Sequence, residues 1–512
     1  MTRILPVLIL GLALPALAAC GSPPQPAAPA LGSVATPPEH LMRIVERYWD
    51  EQAAVGNALS PQFMADSLDL ERRFLAEVLA VPRTQLDADS KLTYDIFRRR
   101  RELAIEGFTY PAELLPINPF EGMWQEMARA PADNENWLLR IDDFSRWSAQ
   151  AIVNMREGLR RGYTVPRVLI ERLLPALEQL GADLKDPVRT HLSQSVAAAV
   201  KGKLLPALRE LHDFLKNEYL PRTRVSLALS ALPLGESWYA YRVKRATSSV
   251  LSPSEIHTIG KAEADRLKGR MQMLLAGGAA APRSKDPVEL LNAYKELKVR
   301  TLAAMPALFS AVPSAEFEIR DFEQAITQGG PAAFDPSRFL QETIPGRLYL
   351  RKVEQGRADL PRFRRVGGEP AFVDGWGLYA ASLGDDLGTY QSDDAKLASL
   401  QAQLRCAAAL VVDTGLHSQG WTRVQALDYL HAELAVDDAD ANLSIDRYAA
   451  LPGDALACKV GELKFQSLRT RAQQTLGARF DPRAFHAEIL KGGAMPLDLL
   501  EANMKAWMAA PR

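Results

Sequence analysis

The chain has 512 residues, 47% hydrophobic and 24% charged, which is ordinary globular composition. A formal net charge of −1 supplies no broad basic surface, so no nucleic-acid partner is expected. Three cysteines, Cys20, Cys406 and Cys458, are too few for a disulfide-stapled scaffold.

Residues 1–19 carry Arg3, then an apolar run from Ile4 to Leu17, then small residues. The run is too short for a stable bilayer span, and the pattern is that of a secretory signal peptide. Leu17-Ala18-Ala19-Cys20 resembles a bacterial lipobox, in which the cysteine is lipidated and becomes the first mature residue. Gly21 follows rather than Asp, so inner-membrane retention is not signalled. The expectation is an outer-membrane lipoprotein facing the periplasm, with the membrane as a partner through the lipid on Cys20. Residues 20–38 are rich in Pro and Ala and read as an extended tether. No later apolar stretch is long enough to span a membrane.

Residues 39–512 read as one two-lobed, mostly α unit, a helical N-terminal half to about residue 245 and a C-terminal half over 246–512. Leu41, Ile44, Val45, Tyr48 and Trp49 share one face of a first helix. Phe144, Trp147, Ala151, Met155 and Leu159 do the same in a later helix that Gly162 ends. Ser252-Pro253-Ser254-Glu255 is a capping box that opens a long helix toward Leu275. Two stretches suggest a small β element, VSLALSALP at 225–233 and AEFEIRDF at 315–322.

Generic catalytic motifs are absent: no nucleophile elbow, no phosphate loop, no cysteine pair at zinc spacing. GWGLYA at 375–380 has the spacing of a dinucleotide loop but sits in a helical period. The seven histidines are His40, His191, His212, His257, His417, His431 and His486, and the closest two are 14 positions apart. Two metal ligands on one helix need to be about four positions apart, so no histidine pair forms a local metal site.

Several longer stretches carry a family resemblance. LLPINPF (114–120), NMREGLRRGYTVPRVLIERLLPAL (154–177), LPLGESWYAYRVKRATSSVLSPSEIHTIG (232–260), FRRVGGEPAFVDGWGLYAASLGDDLGTY (363–390), LVVDTGLHSQGWTRVQALDYL (410–430) and RYAALPGDALACKVGELK (447–464) resemble, in order, the bacterial domain-of-unknown-function 885 family. That family is mostly helical and similar to gluzincin-type zinc metallopeptidases. The resemblance implies a large helical metallopeptidase-like fold with a small β element beside the active-site cleft. It also implies a central H-E-x-x-P-G-H-H motif, with an outer glutamate in E-G-W-x-L-Y completing the zinc shell.

Here QETIPGRL occupies the motif. Gln341 stands at the first histidine position, Glu342, Pro345 and Gly346 are kept, and Arg347 and Leu348 stand at the later histidines. Asp374 replaces the outer glutamate, Cys458 the usual tyrosine, and Asp454 the usual glutamine. The stretch between Phe322 and Leu340 is shorter than the family's and lacks a strand before the motif. Leu is no zinc ligand, Gln a poor one, and Arg brings positive charge. The expected consequence is loss of zinc, with no cofactor in its place, and a catalytically inactive protein that binds a peptide or an envelope protein partner. The alternative is an active hydrolase rebuilt on Glu342, Asp374 and His417. Other motif residues, among them Arg405, Asp413, His417, Tyr448, Trp376, Tyr379, Trp421 and Lys459, read either as a surviving cleft or as scaffold. Arg347 itself has two placements open, toward Glu342 or Asp374, or toward solvent with Arg351 and Lys352.

Overall fold

The computed structural model describes residues 36–52, 59–128, 134–185, 193–280, 286–313, 334–366 and 368–510. The signal peptide, Cys20, most of the tether, His191 and the 315–322 stretch lie outside them. The fold is a large assembly of helices. The first runs over Pro37–Gln52 and buries Leu41, Ile44, Val45 and Tyr48. Asn134–Arg161 carries the Phe144–Met155 face and stops at Gly162, whose φ of +81° suits glycine. Pro253–Ala276 begins with the reciprocal Ser252–Glu255 capping box, as the sequence predicts.

No strand forms among the described residues, where the β content is one isolated parallel bridge, Pro166 to Arg224. The predicted strand at 225–233 is therefore corrected: its backbone bonds to side chains instead of to a neighbouring strand. Arg224 Nη1 donates to the carbonyls of Ser226 and Ala228, and the Leu229 N–H donates to His417 Nδ1 at 2.9 Å. With those groups committed, no ladder is available, and Leu229–Ala231 closes into a single 3₁₀ turn.

Two large hydrophobic cores organise the helices. One joins the first three helices to residues 229–243, 290–309, 339–390 and 456–508. The other joins residues 137–227 to 408–449. Each core thus takes residues from both sides of position 245. Helix Asp393–Ser418 passes between them, giving Leu410 to the first and Ala408, Val412 and Leu416 to the second. Gly260 of helix Pro253–Ala276 lies against Leu410 and Val411, where an added Cβ would come within 2.7 and 2.8 Å. No helix among the described residues is long and apolar enough to cross a membrane.

Candidate functional site

The QETIPGRL segment is two helices meeting at a break. Asp335 caps the first, Pro336–Glu342, by accepting from the Arg338 N–H at 2.9 Å. The helix stops at Thr343, and a cis Ile344–Pro345 peptide leads to Gly346, which opens helix Arg347–Gln355. A Cβ on Gly346 would lie 2.0 Å from the Gln341 carbonyl oxygen, so only glycine lets the second helix approach the end of the first. Trp376, fully buried, donates from Nε1 to the Pro345 carbonyl at 2.9 Å and holds the break in place.

On one continuous helix, residues five apart lie about 140° out of phase. The break removes that constraint. Arg347 Nη1 donates to Glu342 Oε1 at 2.5 Å, and Nη2 lies 2.9 Å from Asp374 Oδ1. Of the two placements open for Arg347, the structure has the one between the carboxylates. Its side chain is 25% exposed, against 37% for Glu342 and 38% for Asp374, so the trio sits at the mouth of a cleft. Burial opposes the guanidinium charge, but Asp374 and Glu342 outweigh it and hold Arg347 above its ordinary value. Burial raises the Asp374 carboxyl; Arg347 pulls it back and Glu342 pushes it up again. A cavity of about 330 Å³ opens beside Arg347 and Asp374, lined also by Arg351, Glu354, Arg365 and Val373.

Asp374 comes from helix Pro370–Ser382, which packs tightly on helix Leu456–Leu476. An added Cβ on Gly375 would stand 2.4 Å from the Gly461 Cα, and one on Gly377 would stand 3.1 Å from Arg347 Cγ. The glycines of GWGLYA therefore serve helix contact and make room for Arg347. Cys458, on the second helix, is a free thiol; a hydrogen bond with the free Cys406 thiol, then burial, push it well above the usual thiol range.

The donor set does not fit zinc. A cation spans the two carboxylates, Leu348 offers no ligand, and the Gln341 amide has no hydrogen bond among the described residues. No group of three or more His, Cys, Asp or Glu side chains among the described residues is placed to hold a metal ion.

His417 and Asp413 are buried in a separate network. His417 Nδ1 accepts from the Leu229 N–H, which assigns the ring proton to Nε2, donating to the Tyr448 carbonyl at 3.0 Å. Burial pulls this imidazole down to about 3. Asp413 accepts from the Tyr239 hydroxyl at 2.5 Å and from the Gly453 N–H at 3.0 Å, and burial raises it to about 7. Both ring nitrogens of His417 are thus committed to backbone, and burial also raises the Tyr448 hydroxyl. Arg405 is exposed and makes no polar contact among the described residues. Tyr379 bonds to His486 at 2.9 Å, Trp421 packs on Gly415, and Lys459 is buried between Glu462 at 2.6 Å and Glu263 at 3.1 Å. These are scaffold contacts. Tyr239 was not singled out from the sequence, although it stands inside the quoted stretch LPLGESWYAYRVK, because nothing local marks it as the partner of Asp413.

The family model "Bacterial protein of unknown function (DUF885)" matches residues 48–350 and 335–504. The chain belongs to the DUF885 family. Its fold is similar to that of a candidate lipoprotein from Colwellia psychrerythraea, at 22% identity and a TM-score of 0.74, covering 92% of this chain and 98% of that one. It is also similar to a candidate lipoprotein of unknown function from Shewanella oneidensis, at 15% identity and a TM-score of 0.62, covering 92% and 100%. A search of the curated proteins gives no match. DUF885 membership and the helical fold thus agree with the reading of the sequence.

Proposed function

We propose that this DUF885 protein is a lipid-anchored envelope protein with a metallopeptidase-like cleft that no longer holds zinc or hydrolyses peptides, and that it binds a peptide or protein partner there. The observation that carries the reading is the Glu342–Arg347–Asp374 trio. A guanidinium between two carboxylates does electrostatically what a divalent cation would do: it offsets their mutual repulsion in a partly dry site. Unlike a metal, it has no open coordination position and cannot lower the pKa of a bound water. The names of the two structural neighbours and the lipobox-like LAAC support the anchor. The commitment of both His417 nitrogens to backbone weighs against a hydrolase rebuilt on that histidine.

The test is elemental analysis of the purified protein together with turnover and binding of a mixed peptide library. The expected result is well under one zinc per chain, no cleavage, and peptide binding that weakens when the trio's charges are changed. Stoichiometric zinc or metal-dependent cleavage overturns the proposal. Loss of the anchor alone overturns only its membrane half.

A further inference from the structure

A second cavity, of about 390 Å³, lies among helices Ala88–Gly107, Arg167–Asp183 and Gly235–Thr247 and the turn at 449–452. Its wall is aromatic and apolar: Phe108, Tyr110, Leu115, Trp238 and Tyr241. Tyr110 stacks on Trp238 with ring centroids 5.6 Å apart and planes 11° apart. The phenolic hydroxyls are already committed, Tyr110 donating to the Ser237 carbonyl at 3.0 Å and Tyr241 to the Leu103 carbonyl at 3.1 Å. This wall therefore offers ring surface to a ligand rather than polar groups.

Arg224 supplies the polar element. Its Nε donates to the Thr164 carbonyl at 2.8 Å, and its Nη1 to the carbonyls of Ser226 and Ala228. All three acceptors are neutral main-chain oxygens. Among the described residues no carboxylate pairs with Arg224, and its Nη2 has no partner. Arg242 on the same wall is different, since Asp454 neutralises it at 2.8 Å. Arg245 adds a second cation without an ion pair among the described residues, and of those residues Glu121 is the one acid in the lining. Holding the 224–228 turn and tying it to Thr164 account for three hydrogen bonds of Arg224. They account for neither Nη2 nor the uncompensated charge, and desolvating a charge without a partner is unfavourable. Burial accordingly draws the guanidinium down to about 10.

We infer that this cavity binds a small amphipathic carboxylate, its head on Arg224 Nη2 and its apolar body against the Tyr110–Trp238 wall. Its volume lies near the lower end of the range for small-molecule sites, about 300–1,000 Å³, which suits a single aromatic or medium-chain aliphatic group. A carboxylate takes charge-assisted hydrogen bonds from a guanidinium, which its neutral amide cannot match. Such a carboxylate has two sources in an envelope, a free fatty acid and the C-terminal residue of a short peptide. The inference is independent of the Glu342–Arg347–Asp374 reading.

The test is isothermal titration of the purified full-length chain with octanoate and N-acetylphenylalanine, each beside its primary amide. The expected result is that at least one carboxylate binds at least tenfold more tightly than its amide, and which one does identifies the source. Arg224→Gln should remove that preference. Ala104→Trp, on a partly exposed helical position of the lining, should fill the cavity and abolish binding without touching the Arg224 bonds. No preference for either carboxylate in the unmodified chain, a preference retained in Arg224→Gln, or binding unchanged in Ala104→Trp overturns the inference. If Arg224→Gln does not fold, the carboxylate–amide comparison and Ala104→Trp still decide it.

Discussion

The Arg347 guanidinium reaches Asp374 across two helices, Nη2 to Oδ1 at 2.9 Å, while its other terminal nitrogen holds Glu342. A cation so placed makes two carboxylates compatible at the mouth of one cleft.

Arg347→Met should therefore leave Glu342 and Asp374 without their shared cation. All three side chains are partly exposed, so the loss is moderate, about 1–2 kcal/mol at pH 7. The effect should shrink toward pH 4, because burial raises the Asp374 carboxyl and its protonated form no longer repels a neighbouring carboxylate. Urea unfolding at the two pH values checks this. Adding Glu342→Gln and Asp374→Asn to Arg347→Met should recover much of the loss. A pH-independent effect that these changes fail to recover would point to packing instead of charge.

Gly375→Ala should destabilise by about 2–3 kcal/mol, because its Cβ would meet the Gly461 backbone at 2.4 Å, where there is no flexible side chain to move aside. Gly269→Ala, inside helix Pro253–Ala276 with nothing within 4 Å of its Cβ, should instead stabilise by about 0.5–1 kcal/mol. Thermal unfolding of the two variants side by side separates packing from helix propensity.

His417 gives a pH dependence of definite sign. Its imidazole sits at about 3 when folded and near 6.5 when unfolded, so between those values the unfolded chain binds the extra proton. Stability should then fall as pH drops through that window, by at most about 1.4 kcal/mol per pH unit from this residue. His417→Gln cannot titrate, so its unfolding free energy should depend less on pH below 6.5. Curves for the two proteins that run parallel from pH 7 to 4 would contradict the assignment of a neutral, backbone-bonded histidine.

The anchor is tested at Cys20. A single acyl chain binds membranes only marginally, whereas several give stable attachment. Cys20→Ala should move the protein from the membrane fraction to the soluble one. Retention of Cys20→Ala in the membrane fraction would show that another feature holds it there.

Helix content, the stop at Gly162 and the capping box at Ser252 were legible in the sequence, because each depends on residues within one or two turns of one another. Family membership was legible too, since its motifs lie in continuous stretches. That Arg347 stands five positions after Glu342 could also be read there, as could its two open placements. What the cation does was decided only by tertiary structure. The break at 343–346 cancels the helical phase between Glu342 and Arg347, and Asp374 arrives from another helix seated by Gly375 on Gly461. The same physical reason explains the strand expected at 225–233. Alternating apolar residues state a local preference, but a strand also needs a neighbour to bond, and Arg224 and His417 take those backbone groups instead. His417 follows the same rule: its place in the sequence offered it to a cleft, and burial against Leu229 and Tyr448, both distant in sequence, made it structural.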